Sequence, residues 1–91
     1  MYSKIVKLVN ASGLHARPAS QFVAVAKNFK SKIAVKNLDK GSEAPNAKSI
    51  ILLMALAVVC GAEIEITADG PDEVEAVDAL VALIESGFGE E

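Results

Sequence analysis

Polar and apolar positions alternate, imperfectly, where the chain begins. Tyr2, Lys4, Lys7 and Asn10 are interrupted by Ile5, Val6, Leu8 and Val9, which predicts a half-buried strand over residues 2–9. Asn10 to Gly13 is turn chemistry. The period then changes. Ala19, Phe22, Val23, Ala26 and Phe29 recur at helical spacing, so a helix from about Ala16 to Phe29 turns one apolar stripe to a core. Ser20, Gln21, Ala24 and Lys27 fall on its other faces. Alternation returns over residues 32–36, a second strand. The polar connection 37–47 holds Gly41 and Pro45 and has room for a poor edge strand near residues 40–43. Ser49 opens a second helix that ends near Leu56. Residues 63–67 alternate cleanly and form the last strand. After a turn over residues 68–72, Asp72 or Asp69 is placed to cap a closing helix. That helix carries Glu73 and Glu75 in its first turn, where acids suit the macrodipole. Val74, Val77, Leu80, Val81 and Ile84 mark its buried stripe; Gly87 and Gly89 stop it and leave a loose acidic tail from about residue 87.

The order is β-α-β-β-α-β-α. Strands with one apolar face and helices with one apolar stripe assemble as an α+β two-layer open-faced sandwich, with helices covering one sheet face. Ninety-one residues make a single domain over residues 1–91, without repeats or linkers.

Composition narrows the function. Apolar residues are 52% of the chain but aromatic residues only 4%, so small aliphatic side chains fill the core. A net charge of −3 offers no basic footprint for nucleic acid and argues against anionic membrane surfaces. The apolar run from Ile50 to Cys60 is too short to insert across a bilayer. Cys60 has no cysteine partner, reads as a small buried hydrophobe, and fits a reducing cytoplasm. One His and one Cys give no metal ligand cluster, and nothing calls for a cofactor.

The only histidine stands in Gly13-Leu14-His15-Ala16-Arg17-Pro18-Ala19, where the first helix begins. Pro18 is tolerated in a first turn, whose amides lack intrahelical partners. Those free N–H groups, of Ala16 and Arg17, suit an anion, and Arg17 adds a permanently charged fork that fits phosphate. A free imidazole titrates near about 6.5, so a neutral nucleophile is available at cell pH. Attack on a phosphoryl donor and later release to an acceptor is within its chemistry. A surface or N-cap histidine beside a solvated arginine is the plainer account of the same two residues.

The string from Gly13 to Ala19, together with Lys48-Ser49-Ile50, resembles the histidine-containing phosphocarrier family of the sugar phosphotransferase system, over residues 2 to about 83. The resemblance implies that His15 carries a phosphoryl group on Nδ1 and that Arg17 assists. It implies a carrier between phosphorylated enzyme I and IIA-type acceptors, a phosphotransferase component rather than a free-standing enzyme, working as a monomer in the cytoplasm. Ser49 matches a serine that an ATP-dependent kinase, opposed by a phosphorylase, modifies in Gram-positive relatives. Helix capping explains Ser49 equally well. Ile50, Ile51, Leu53, Met54 and Leu56 cannot all face inward on one short helix, so the excess reads as a docking patch. By resemblance Ile50, Ile51 and Met54, with Ser20, occupy the patch beside the histidine. Two other functions stay open: a regulatory module that binds a transcription regulator through phosphorylated Ser49, and a nitrogen-metabolism paralogue using the same histidine chemistry. Residues 39–48 and the apolar segment Ala57-Val58-Val59-Cys60 depart from the family pattern; neither is expected to touch His15 or Arg17, and both bear on the length of the second helix and on the oligomeric state.

Overall fold

Four strands pair antiparallel in the order β1-β4-β2-β3 in the computed structural model, which describes residues 1–89. The elements are β1 (Tyr2–Lys7), α1 (Ala16–Ala26), β2 (Lys32–Asn37), β3 (Glu43–Ala44), α2 (Ile50–Ala55), β4 (Glu63–Asp69) and α3 (Glu73–Glu85), then a 3-10 turn at Gly87–Gly89. Tyr2 stands opposite Ala68 and Lys7 opposite Glu63; on the other side of β4, Lys32 meets Asp69 and Asn37 meets Ile64. Alternate side chains point to one face, so Val6, Ile33, Val35, Ala44, Ile64, Ile66 and Ala68 are all buried. They join Phe22 and Val23 of α1, Leu53 of α2, and Val77, Leu80 and Ile84 of α3 in one core. Each large aliphatic or aromatic side chain buried there contributes about 1.5–3 kcal/mol. The opposite sheet face carries Lys36, Glu43, Glu65 and Thr67 around a shallow groove, with Lys36 and Glu43 paired at 3.9 Å. The open-faced sandwich expected from the pattern is the observed fold.

Five local expectations change, each for an identifiable reason. The first helix ends at Ala26, because the Asn28 and Phe29 amides turn to the carbonyls of Val25 and Ala26 in a tighter spiral; Phe29 still packs half-buried on the core. The edge strand is residues 43–44 and not 40–43. Asn37 Oδ1 accepts from the amides of Asp39 and Lys40, and the Gly41 amide returns to the Asn37 carbonyl at 2.7 Å, so this stretch is wound as a turn. Val74 lies on the flank of α3 and is 44% exposed; the inner face is Ala76, Val77, Leu80 and Ile84, with Val81 half-buried beside it. Neither Asp69 nor Asp72 caps α3 with its side chain. Asp72 holds the N-cap position, but its carboxylate accepts from the Lys30 amide at 2.8 Å, the Ser31 amide at 2.9 Å and the Ser31 hydroxyl. The chain is not loose from residue 87: Gly87 and Phe88 take positive φ, and Phe88 folds back into the core. Glu90 and Glu91 of the expected acidic tail lie outside the described residues.

Among the described residues, no helix is long and apolar enough to cross a membrane.

Candidate functional site

His15 is the N-cap of α1, in extended conformation (φ −130°, ψ 156°), and its imidazole makes no capping hydrogen bond. The ring is exposed, as are Ala16 and Arg17 behind it. The first turn closes when the Ala19 amide reaches the His15 carbonyl at 3.3 Å. Ahead of that bond, the Ala16 and Arg17 amides stand at the positive end of an 11-residue helix. Pro18 is buried in this turn and anchors it against the core. Ala16 has φ +33°, a left-handed value that costs an L-residue about 1–2 kcal/mol. Backbone strain of this kind persists only where the surroundings enforce it.

The surroundings are visible. The buried Asn10 side chain donates to the Gly13 carbonyl at 2.9 Å, and the Gly13 amide returns to the Asn10 carbonyl at 3.2 Å. The Leu14 amide donates to the Val58 carbonyl at 3.1 Å, and the Leu14 side chain is buried. Gly13, at φ +65°, lies so close to the 57–60 segment that a Cβ there would sit 2.4 Å from the Val58 oxygen and 2.8 Å from Val59 Cα. The segment that looked unrelated to His15 in the sequence is therefore the platform on which its loop rests. Ala57 itself has φ +56°, Val58 is buried, and Val59 and Cys60 are exposed. Cys60 is thus not the buried hydrophobe expected from its residue type: the turn at 57–61 holds it outward.

Ser49 is the N-cap of α2, and its hydroxyl accepts from the Leu52 amide at 3.3 Å. Leu53 and Leu56 face the core, whereas Ile50 and Ile51 are exposed, Ile51 by 80%, and Met54 is half-buried. Leu52, which the sequence did not single out, is exposed with them. Ser20 is exposed on α1 one turn beyond Ala16, and α2 packs against α1. The start of α1 thus presents an accessible imidazole and a guanidinium unpaired among the described residues, and an apolar six-residue helix packs against α1. The supporting contacts from Val58 escaped sequence reading because they run through backbone; Gly13, two residues before the histidine, was the signal.

A family model described as "PTS HPr component phosphorylation site" matches residues 2–86. The phosphocarrier protein HPr of Haemophilus influenzae is 49% identical over 84 residues, covering 92% of this chain and 95% of that protein. The phosphocarrier protein NPr of Escherichia coli K12 is 41% identical, covering 94% of this chain and 93% of its own. The crystal structure of HPr-C-His from Thermoanaerobacter tengcongensis superposes with a TM-score of 0.93 at 46% identity, covering 100% of this chain and 99% of that one. A histidine at a strained helix start, the matched fold and these similarities lead to one conclusion: the chain belongs to the HPr phosphocarrier family of the phosphotransferase system.

Proposed function

We propose that His15 is the phosphoryl carrier, within one carrier domain formed by residues 1–91. The neutral imidazole Nδ1 attacks the phosphoryl group of phosphorylated enzyme I; an N–P bond forms as the bond to the donor breaks. A IIA-type acceptor then attacks the same phosphorus and His15 leaves as the free imidazole. The Ala16 and Arg17 amides and the Arg17 guanidinium stabilise the added negative charge, which is where protein groups contribute most in phosphoryl transfer. The observation that carries this reading is the exposed N-cap imidazole, not engaged in capping, beside a positive helix end. Ile50, Ile51 and Met54, with Ser20, form the docking patch. A small interface favours the fast release a relay needs. The carrier acts as a monomer in the cytoplasm.

The test is intact mass after incubation with phosphoenolpyruvate and a purified bacterial enzyme I. Wild type gains one acid-labile phosphoryl group and His15→Ala gains none. Arg17→Ala is phosphorylated roughly tenfold to a hundredfold more slowly, the effect of losing one charge-assisted phosphate contact. A wild type that gains no mass overturns the reading. Similarity to NPr supports a second one: a paralogous branch with the same histidine chemistry, for which this enzyme I is a poor donor and another is a good one.

Ser49 is the regulatory position in this proposal. A phosphate there adds charge at the root of the docking helix. Ser49→Ala removes acid-stable phosphate added by an HPr serine kinase while His15 phosphorylation persists; acid-stable phosphate that survives the substitution overturns the assignment.

A further inference from the structure

The far end of α1 has chemistry of its own. The link from α1 to β2 and the approach to α2 enclose a cleft of about 280 Å³. Lys30, Lys32 and Lys48 border it, the exposed Pro45 supplies an apolar wall, and Asn46 a polar one. Three of the chain's nine Lys and Arg meet here, although the net charge is −3. Like charges gathered round one concavity repel each other and focus a positive potential, and an anion between them relieves both.

Neighbouring carboxylates do not neutralise the three ammonium groups. Asp72 faces this link, but its oxygens already accept from the Lys30 and Ser31 amides and the Ser31 hydroxyl. Asp69 stands opposite Lys32 in the β2–β4 register, and the cation it meets is the Met1 ammonium at 3.9 Å. Among the described residues, none of the three lysines belongs to an ion pair. Lys48 Nζ donates to the Phe29 carbonyl at 2.7 Å, which fixes its ammonium at the cleft and leaves two N–H groups. Asn46 Oδ1 accepts from the Lys48 amide at 3.1 Å, which leaves the Asn46 amide NH₂ to donate.

We infer that this cleft binds a small organic phosphate, its dianion between Lys30, Lys32 and Lys48 and its carbon skeleton against Pro45. Three point charges and a donor amide match a phosphate better than a monoanion. The volume is near the lower bound for ligand pockets, which sets the ligand's size to a few carbons. Helix α1 is roughly 16 Å long, so a ligand here does not compete with a phosphoryl group at His15. Lys48 directly precedes Ser49, so the bound anion acts at the root of α2. The inference does not depend on the carrier function of His15.

The test is a ¹H–¹⁵N titration of the full chain with inorganic phosphate and with glycerol 3-phosphate, against sodium chloride at equal ionic strength. The expected result is saturable shifts at the amides of residues 30–32 and 46–48, with glycerol 3-phosphate bound more tightly than inorganic phosphate. Lys30→Gln with Lys32→Gln weakens binding about tenfold. Both positions are exposed, so the remaining spectrum stays unchanged; Lys32→Gln alone gives a smaller weakening in the same direction. Shifts confined to Ala16 and Arg17, linear shifts that chloride reproduces, or equal affinity in the double variant overturn the site. Equal affinity for the two phosphates overturns its organic ligand.

Discussion

Gly13 packs on the backbone of Val58 and Val59, and Ala57 just before them has the opposite latitude for change. Gly13 is at φ +65° with the Val58 oxygen 2.4 Å from where a Cβ would be. Gly13→Ala therefore meets both a left-handed backbone and a backbone obstacle that cannot rotate away. It is expected to lower stability by about 2 kcal/mol or more in urea unfolding and to slow phosphorylation of His15. Ala57 is the reverse case. It bears a Cβ at φ +56° in the turn that ends α2, a position that glycine occupies without strain. Ala57→Gly should raise stability by a few tenths to about 1 kcal/mol, less than the full strain because glycine also loosens the unfolded chain. Thermal unfolding decides it: an unchanged or lower Tm means the turn is held by something other than the Ala57 backbone. At this scale the sequence singles out His15 and Arg17 by residue type, and the structure leaves both exposed at the start of α1. Sequence reading misplaced Cys60, whose exposure is set by a turn and not by the thiol's apolar character.

Among the elements, α2 separates inward from outward most sharply. Leu53 is fully buried and Ile51 is 80% exposed, two residues apart on six residues of helix. Leu53→Ala is expected to cost about 2–5 kcal/mol of stability. Ile51→Asp should change stability by less than about 0.5 kcal/mol while reducing the rate of phosphoryl transfer with enzyme I. Equal transfer rates for Ile51→Asp and wild type would remove α2 from the docking surface. The junction of α1, β2 and α3 depends on a charge. The Ser31 hydroxyl and the Lys30 and Ser31 amides, donating to Asp72, hold its carboxyl below the usual carboxylate range. A depressed folded-state value means that the stabilisation is present above the unfolded value, about 3.9, and is lost as pH falls through the folded one. Urea midpoints of wild type and Asp72→Asn should therefore differ at neutral pH and converge in acid. A difference that does not change with pH would assign the effect to shape and not charge. Helix and strand positions were legible because alternation and the helical period are strong in residues 16–26, 32–36 and 63–67. The two-residue β3 was not, since it is set by the Asn37-centred turn before it, and side-chain bonds of that kind leave no periodic trace.

For the molecule as a whole, the order of elements and the layering followed from pattern, and one heptad is what directs the proposal to His15 and Arg17. What did not follow is how the ends of the chain are tied in. Phe88, between two glycines and shortly before two glutamates, looks like part of a solvated tail, yet it is 4% exposed against the core. Phe88→Ala should cost about 3–5 kcal/mol in chemical denaturation, as a core aromatic does; a loss near zero would restore the loose tail.

The other end of the chain is bound by a longer reach. Tyr2 pairs with Ala68 and Lys7 with Glu63, so among the described residues β1 has its one strand partner some sixty residues downstream. A strand made first and paired last has consequences for folding time. As synthesis proceeds, β1 leaves the ribosome with nothing to hydrogen-bond to until β4 has followed it out. The sheet then assembles in one step around β4, its non-local strand, and the loop-closure entropy of almost the whole chain falls on that step. Folding should therefore be an all-or-none event that waits for β4, and a nascent chain stalled before Glu63 should be as sensitive to protease as an unfolded one.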